Sequence, residues 1–176
     1  MRLKKLALLD RDGVVNVDFG YVYQPERFVF TPHFFEFCSV LVKHGYQIAI
    51  VTNQSGIGRG FFSQQDFDRL TAWMENEFHT RGFSLVGVFC CPHSPSEHCS
   101  CRKPSPKMFF EAMNLAGVAP ENCINVGDKD SDMLAGINAG IIRNFQFLPN
   151  LRDNSSNQKL IKTVNDLLDI EPFLDD

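Results

Sequence analysis

Four groups of residues have types and spacings that could do chemistry. In "DRDG", Asp10 and Asp12 are two residues apart. Two close carboxylates repel and need a shared proton or a cation. A hard divalent ion such as Mg²⁺ suits them, since it takes one or two carboxylates together with substrate phosphate. "GDKDSD" (127–132) offers Asp128 to complete the carboxylate set, with Lys129 and Asp132 nearby. "TNQSGIGRG" (52–60) pairs the hydroxyl of Thr52 with a loop of three glycines, whose backbone N–H groups suit a phosphate. It fits neither the P-loop nor the G-x-G-x-x-G pattern. Each group also has a plainer reading: solvated acids at a strand end, a capped helix start, and an ordinary loop.

The fourth group is "CCPHSPSEHCSCRKP" (90–104). Cys91, His93, Cys99 and Cys101 form a C-x-H-x5-C-x-C array of three thiols and one imidazole. That is a closed tetrahedral set for structural zinc, with no open position for catalysis. Cys90 and His98 fall outside its symmetry. Arg102 and Lys103 follow directly, one suited to bidentate phosphate contact and the other a point charge.

These groups need elements to hold them. "KLALL" (5–9), "YQIAIVT" (46–52), "FSLVGVFC" (83–90) and "CINVGD" (123–128) are short apolar runs that read as buried strands. Helical patterns fall between them: 31–44 with Thr31 as cap, 63–81 behind Ser63, 105–115, and 131–139. A further strand is expected near "GIIRNFQF", a loop over 149–158, then a strand fragment and helix in "LIKTVNDLLDI". The alternation predicts an α/β fold, a doubly wound parallel sheet with helices on both faces. Ligands bind outside the carboxyl ends of such strands, where Asp10, Thr52, Cys91 and Asp128 fall. Acids, a hydroxyl and a lysine at one edge suit phosphoryl transfer to an aspartate, with Mg²⁺ neutralising charge.

Composition narrows the class. The chain has 176 residues, 44% hydrophobic and 22% charged, with a net charge of −4. That is ordinary for a soluble domain and lacks the basic surplus of a nucleic-acid binder. The N-terminal apolar run, "LALL", ends at Asp10 and is too short for a signal peptide or membrane span. A cytoplasmic, monomeric protein without nucleic-acid or membrane partners is expected. Reduced thiols there favour the metal reading of the cysteines.

"DRDGVVN", "TNQ", Lys103 and "GDKDSD" resemble the four motifs of the haloacid dehalogenase-like phosphohydrolases. "DRDGVVNVDFGYV", "SGIGRG", "CPH" and "CSCRKP" resemble its heptose-bisphosphate phosphatase branch, and the short zinc loop also resembles the histidinol-phosphate phosphatases. The resemblance implies a Rossmann-like fold. It implies Asp10 as nucleophile and Asp12 as general acid and base. Asp10, the carbonyl of Asp12, and Asp128 would hold Mg²⁺. Thr52 and Lys103 would hold the phosphoryl group, with Asp132 orienting Lys103 or a metal-bound water. Arg102 would recognise the phosphorylated sugar, Lys129 would assist around the metal, and Asp18, Phe19, Gly20, Tyr21, Asn53, Gln54 and Ser55 would line the substrate site. The motif intervals leave no room for a large cap, so one domain over 1–176 with a zinc loop at 91–101 is expected. A non-catalytic zinc-clip binding module is the alternative of another class.

Overall fold

Residues 4–150 and 160–175 are described in the computed structural model of the chain. The first strand, β1 (Lys5–Leu9), is central. It is followed by α1 (Phe34–Lys43), β2 (Tyr46–Asn53), a one-turn helix α2 (Ser55–Gly58) and α3 (Gln64–Thr80). Next come β3 (Leu85–Cys91), α4 (Lys107–Ala116), β4 (Cys123–Gly127), α5 (Asp130–Asn138), β5 (Arg143–Phe147) and β6 (Ile161–Val164). The strands order as β3-β2-β1-β4-β5-β6, and every pairing is parallel.

The apolar run of β1 does not alternate because both faces are covered. Ala7 and Leu9 pack into one core with Phe34, Phe37 and Leu41 of α1 and Leu70, Met74 and Phe78 of α3. Leu6 and Leu8 face the other core, with Met108, Phe109 and Ala112 of α4 and Ala135 of α5. All four β1 side chains are at most 1% exposed, and each large one contributes roughly 1.5–3 kcal/mol.

From β1 the chain winds to β2 and β3 on one side, then crosses back to β4 on the other. The order reverses between β1 and β4, and loops leaving that point diverge to open a crevice. Asp10 lies at this point, its amide donating to the Val126 carbonyl at 2.9 Å.

Some elements differ from expectation. Thr31 does not cap α1: its hydroxyl donates to the Val14 carbonyl at 2.5 Å, tying down the loop after β1. The helix starts three residues later, behind His33 at φ 59°. Ser63 does cap α3, in a reciprocal pairing with Asp66. The glycine-rich loop contains α2, and the C-terminal segment ends in a 3₁₀ helix (Leu167–Phe173) containing Pro172, which lacks the amide an α-helix needs. Residues 151–158 of the expected loop lie outside the described residues. No described helix is long and apolar enough to cross a membrane.

Candidate active site

The sheet edge presents a buried ion-pair cluster. Lys103 arrives from the segment after the cysteine loop and is 4% exposed. Its ammonium donates to Asp10 Oδ1 at 2.8 Å and the Val51 carbonyl at 2.8 Å, and lies 2.6 Å from Asp132 Oδ1. An ammonium has three protons, and each has an acceptor. Asn53 fixes the lysine's backbone: its Nδ2 donates to the Lys103 carbonyl at 3.3 Å, and its Oδ1 accepts from the Lys103 amide at 3.0 Å. Asn53 thus lines the cleft while its amide holds Lys103.

Burial and neighbouring charge dominate the electrostatics. Burial pushes the Asp10 carboxyl up to about 8; Lys103 pulls it down, while Asp132 and Asp12 push it further up. Asp128 is also raised by burial, against the pull of Lys129 and with the repulsion of Asp132 and Asp18. Burial alone would lower Lys103, but Asp10 and Asp132 outweigh it and hold the ammonium above the usual lysine range. Lys129 is raised in the same way by Asp128, Asp10 and Asp18.

Carboxylate oxygens of Asp10, Asp128 and Asp132 lie within 4.8 Å of one another. Asp128 Oδ1 is buried with no hydrogen-bond partner among the described residues. A crowded, desolvated acid set with an unpartnered oxygen fits a hard divalent cation. Gly13 makes this approach possible. Its φ of +98° suits glycine, and a side chain there would overlap the Asp128 carboxylate. Asp132 joins the acid cluster as well as the lysine, and it caps the start of α5 by accepting from the Lys129 amide at 3.0 Å.

The Asp12 carboxylate stands outside that cluster. It accepts from Arg11 Nη2 at 3.0 and 2.9 Å, Asn16 Nδ2 at 3.1 Å and Gln54 Nε2 at 2.7 Å. Gln54 also donates to Thr52 Oγ1 at 2.8 Å. Arg11 and Asn16, at 1% and 0% exposure, were missed in the sequence. The available signal was a charged residue set between two candidate site acids.

A cleft of about 250 Å³ opens above these groups. Asp10, Asp12, Lys103 and Asp132 form its floor, and Asp18, Gly20, Tyr21, Asn53, Gln54, Ser55, Arg102, Lys129 and Ser131 line the rest. Lys129 Nζ reaches Asp18 Oδ2 at 3.2 Å and Asp128 Oδ2 at 3.6 Å, bridging the loop after β1 to the segment after β4. Phe19 is 54% exposed and Thr52 is 1% exposed, and neither lines the cleft.

Beside the cleft, the thiols of Cys91, Cys99 and Cys101 converge with His93 Nδ1, all within 4.8 Å. Sulfur–sulfur separations are 3.0, 3.5 and 3.7 Å, and His93 Nδ1 lies 3.3 Å from Cys101. These are too long for disulfides and near the edge of a zinc tetrahedron, roughly 3.7 Å from a Zn–S length of about 2.3 Å. Burial raises the Cys99 thiol, but hydrogen bonds from the Arg102 and Cys101 amides outweigh it and bring it down to about 7. The donor set, the spacing and the lowered Cys99 thiol fit zinc, while burial and the neighbouring thiols raise the Cys91 thiol. Cys90 and His98 lie outside the cluster. The cysteine loop meets the rest of the site through Gly58, whose amide donates to the Pro92 carbonyl at 2.8 Å. Arg102 Nη1 returns to the His93 carbonyl at 3.5 Å.

Fold and site together define a hydrolase fold of the haloacid dehalogenase-like class, and a family model described as HAD-hydrolase-like matches residues 100–143. A relative from Helicobacter pylori (strain ATCC 700392 / 26695), named D-glycero-beta-D-manno-heptose-1,7-bisphosphate 7-phosphatase, is 42% identical over 151 residues, 85% of this chain and 87% of its own length. One of the same name from Vibrio cholerae is 43% identical over 145 residues, 78% of each chain. The crystal structure of D,D-heptose 1,7-bisphosphate phosphatase from B. bronchiseptica, complexed with magnesium and phosphate, superposes with a TM-score of 0.85 at 27% identity, covering 97% of both chains. The chain belongs to the D-glycero-D-manno-heptose-1,7-bisphosphate 7-phosphatase family.

Proposed function

We propose that the chain is a Mg²⁺-dependent phosphatase that removes the 7-phosphate of D-glycero-D-manno-heptose 1,7-bisphosphate, a step toward ADP-heptose for lipopolysaccharide core. The observation that carries this reading is the buried Asp10–Lys103 pair at the switch point, next to the unpartnered oxygen of Asp128. The names of its relatives supply the substrate.

In this reading Asp10, Asp128 and the backbone carbonyl of Asp12 would hold the Mg²⁺, with the Asp132 carboxylate in the same cluster as Asp10 and Asp128. Bound there, Mg²⁺ would neutralise carboxylate and phosphoryl charge and favour the ionised form of Asp10. A carboxylate oxygen of Asp10 attacks phosphorus while the phosphorus–oxygen bond to the sugar breaks. Asp12 delivers its proton to the departing sugar oxygen, so a neutral hydroxyl leaves and an aspartyl-phosphate remains. Asp12, now a carboxylate, takes a proton from water as that water attacks phosphorus, releasing phosphate and Asp10. Lys103 places positive charge on the transferring group, and catalysis is chiefly positioning and electrostatics. Arg102 and Lys129 contribute charge at the cleft wall for the substrate's phosphates. A structural zinc in the cysteine loop fixes the backbone that carries Arg102 and Lys103.

The same reading takes residues 1–176 as one domain, working as a cytoplasmic monomer without nucleic-acid or membrane partners. The test is phosphate release from both anomers of the heptose bisphosphate and from histidinol phosphate, with and without Mg²⁺. A higher kcat/KM for a heptose anomer supports the proposal. Preference for histidinol phosphate would overturn the substrate, and no turnover of any phosphomonoester would favour a zinc-clip binding module.

A further inference from the structure

We propose that Arg11 is a positioning residue that holds Asp12 in line for proton transfer and ties that geometry to the substrate loop. The proposal rests on the phosphatase reading above. Arg11 lies between the two acids of the first motif, and its side chain contacts Asp12, Val22, Gln54 and Phe67. It is 1% exposed. One nitrogen, Nη2, contacts both Asp12 oxygens, the Val22 carbonyl at 2.7 Å and Gln54 Oε1 at 3.2 Å. Three segments meet there: the loop after β1, the loop at 18–22 that lines the cleft, and the segment after β2.

The remaining guanidinium atoms argue against a purely structural role. Nε and Nη1 are buried with no hydrogen-bond partner among the described residues. The guanidinium carbon lies 5.9 Å from the centre of the Phe67 ring. A buried, incompletely paired charge is a poor stabiliser compared with an apolar side chain of similar size. What an apolar residue could not do is grip both oxygens of Asp12 while bound to the substrate loop. Gln54 completes the hold: it accepts from Arg11 and donates to Asp12 at 2.7 Å. With Asn16 on Oδ1, each oxygen of the carboxylate takes two donors, so its orientation is fixed from both sides. A substrate that draws Val22 inward would move Arg11 and Asp12 with it.

The test exploits leaving groups. Arg11→Met removes the hold and retains the bulk; Arg11→Lys restores one charged donor. Each variant is assayed with the sugar bisphosphate, whose alkoxide must be protonated to leave, and with p-nitrophenyl phosphate in single turnover, whose phenolate leaves unprotonated. For Arg11→Met, kcat on the sugar phosphate is expected to fall about 10²-fold or more, the scale of general acid catalysis. Formation of p-nitrophenolate should fall less than about fivefold, with KM for the sugar nearly unchanged, and Arg11→Lys should recover part of the loss. Equal losses on both substrates, or a loss confined to KM, would overturn the assignment, as would undiminished sugar-phosphate turnover. If Arg11→Met does not fold, the same ratio is read from Arg11→Lys, where equal losses again overturn it. Wild-type protein that releases p-nitrophenolate but leaves the sugar bisphosphate untouched would refute the phosphatase's substrate and leave Arg11 to be judged on an alkyl phosphate that it does accept.

Discussion

The Lys103 ammonium lies 2.6 Å from the Asp132 carboxylate, and both side chains are at most 3% exposed. Asp132 therefore holds the lysine against Asp10 while also anchoring α5 to the edge of β4. Gly127 permits the contact, since a side chain there would overlap Asp132. Asp132→Asn should keep the shape and remove the charge. Lys103 keeps Asp10 as partner, so the expected loss lies toward the lower end of the range for breaking a buried pair, about 3 kcal/mol. Urea unfolding measures it, and kcat should fall because the ammonium is no longer aimed. Unchanged stability and kcat together would show that the pair does neither job.

Asp10→Asn removes the proposed nucleophile and one of three crowded acids. Turnover should disappear, because an amide cannot form the aspartyl-phosphate. The fold should persist, since a neutral side chain relieves the repulsion that burial and Asp132 impose on the carboxyl. Circular dichroism and thermal unfolding would report an intact domain. Residual activity near wild type would remove Asp10 as nucleophile.

Magnesium binding should release a proton. Without metal, burial raises the Asp10 carboxyl against the pull of Lys103, so a proton competes with the lysine for it below pH 7. A bound cation requires the carboxylate. Calorimetry at pH 6.5 in buffers of different ionisation enthalpy should therefore show net proton release, at most about one per metal, with affinity rising by no more than about tenfold per pH unit. The stability sign follows. A carboxyl raised in the folded state stabilises at low pH, and that stabilisation is lost as pH rises from the ordinary aspartate value near 3.9 to about 8. Metal-free protein should lose Tm across that window, and saturating Mg²⁺ should flatten the loss. Heat signals independent of the buffer would exclude the coupling.

The parallel sheet was legible because the apolar runs of its first four strands are short and bounded by helical patterns. The acids were legible because they fall where such strands end. The sequence also revealed the cysteine array through its paired spacing. What it hid were contacts across segments. Nothing local to Arg11 shows that it folds inward onto Val22 and Gln54. Asn53 and Gln54 line the cleft, and the sequence does not show that their amides also engage Lys103, Asp12 and Arg11. Thr31 looked like a helix cap by type, but its hydroxyl found the Val14 carbonyl. Tertiary hydrogen bonds overrode local preference in each case.

Only one residue, Arg102, separates Cys101 of the cysteine cluster from Lys103 of the proposed catalytic set, so loss of metal should reach the chemistry. Cys101 contacts both other thiols and His93. Cys101→Ser should lose zinc, read by elemental analysis, and loosen the segment that presents Arg102 and Lys103. Misplacement of a catalytic group by about 1 Å can lower turnover about 10²-fold, so kcat should fall on that scale while Mg²⁺ still binds the acids. Asn53 provides an internal control, because it holds the Lys103 backbone independently of the cysteines. Removing that hold as well, with Asn53→Ala in the Cys101→Ser background, should lower kcat further. A zinc-free Cys101→Ser protein with wild-type kinetics would show instead that Asn53 and the Asp10–Asp132 clamp suffice to aim the lysine.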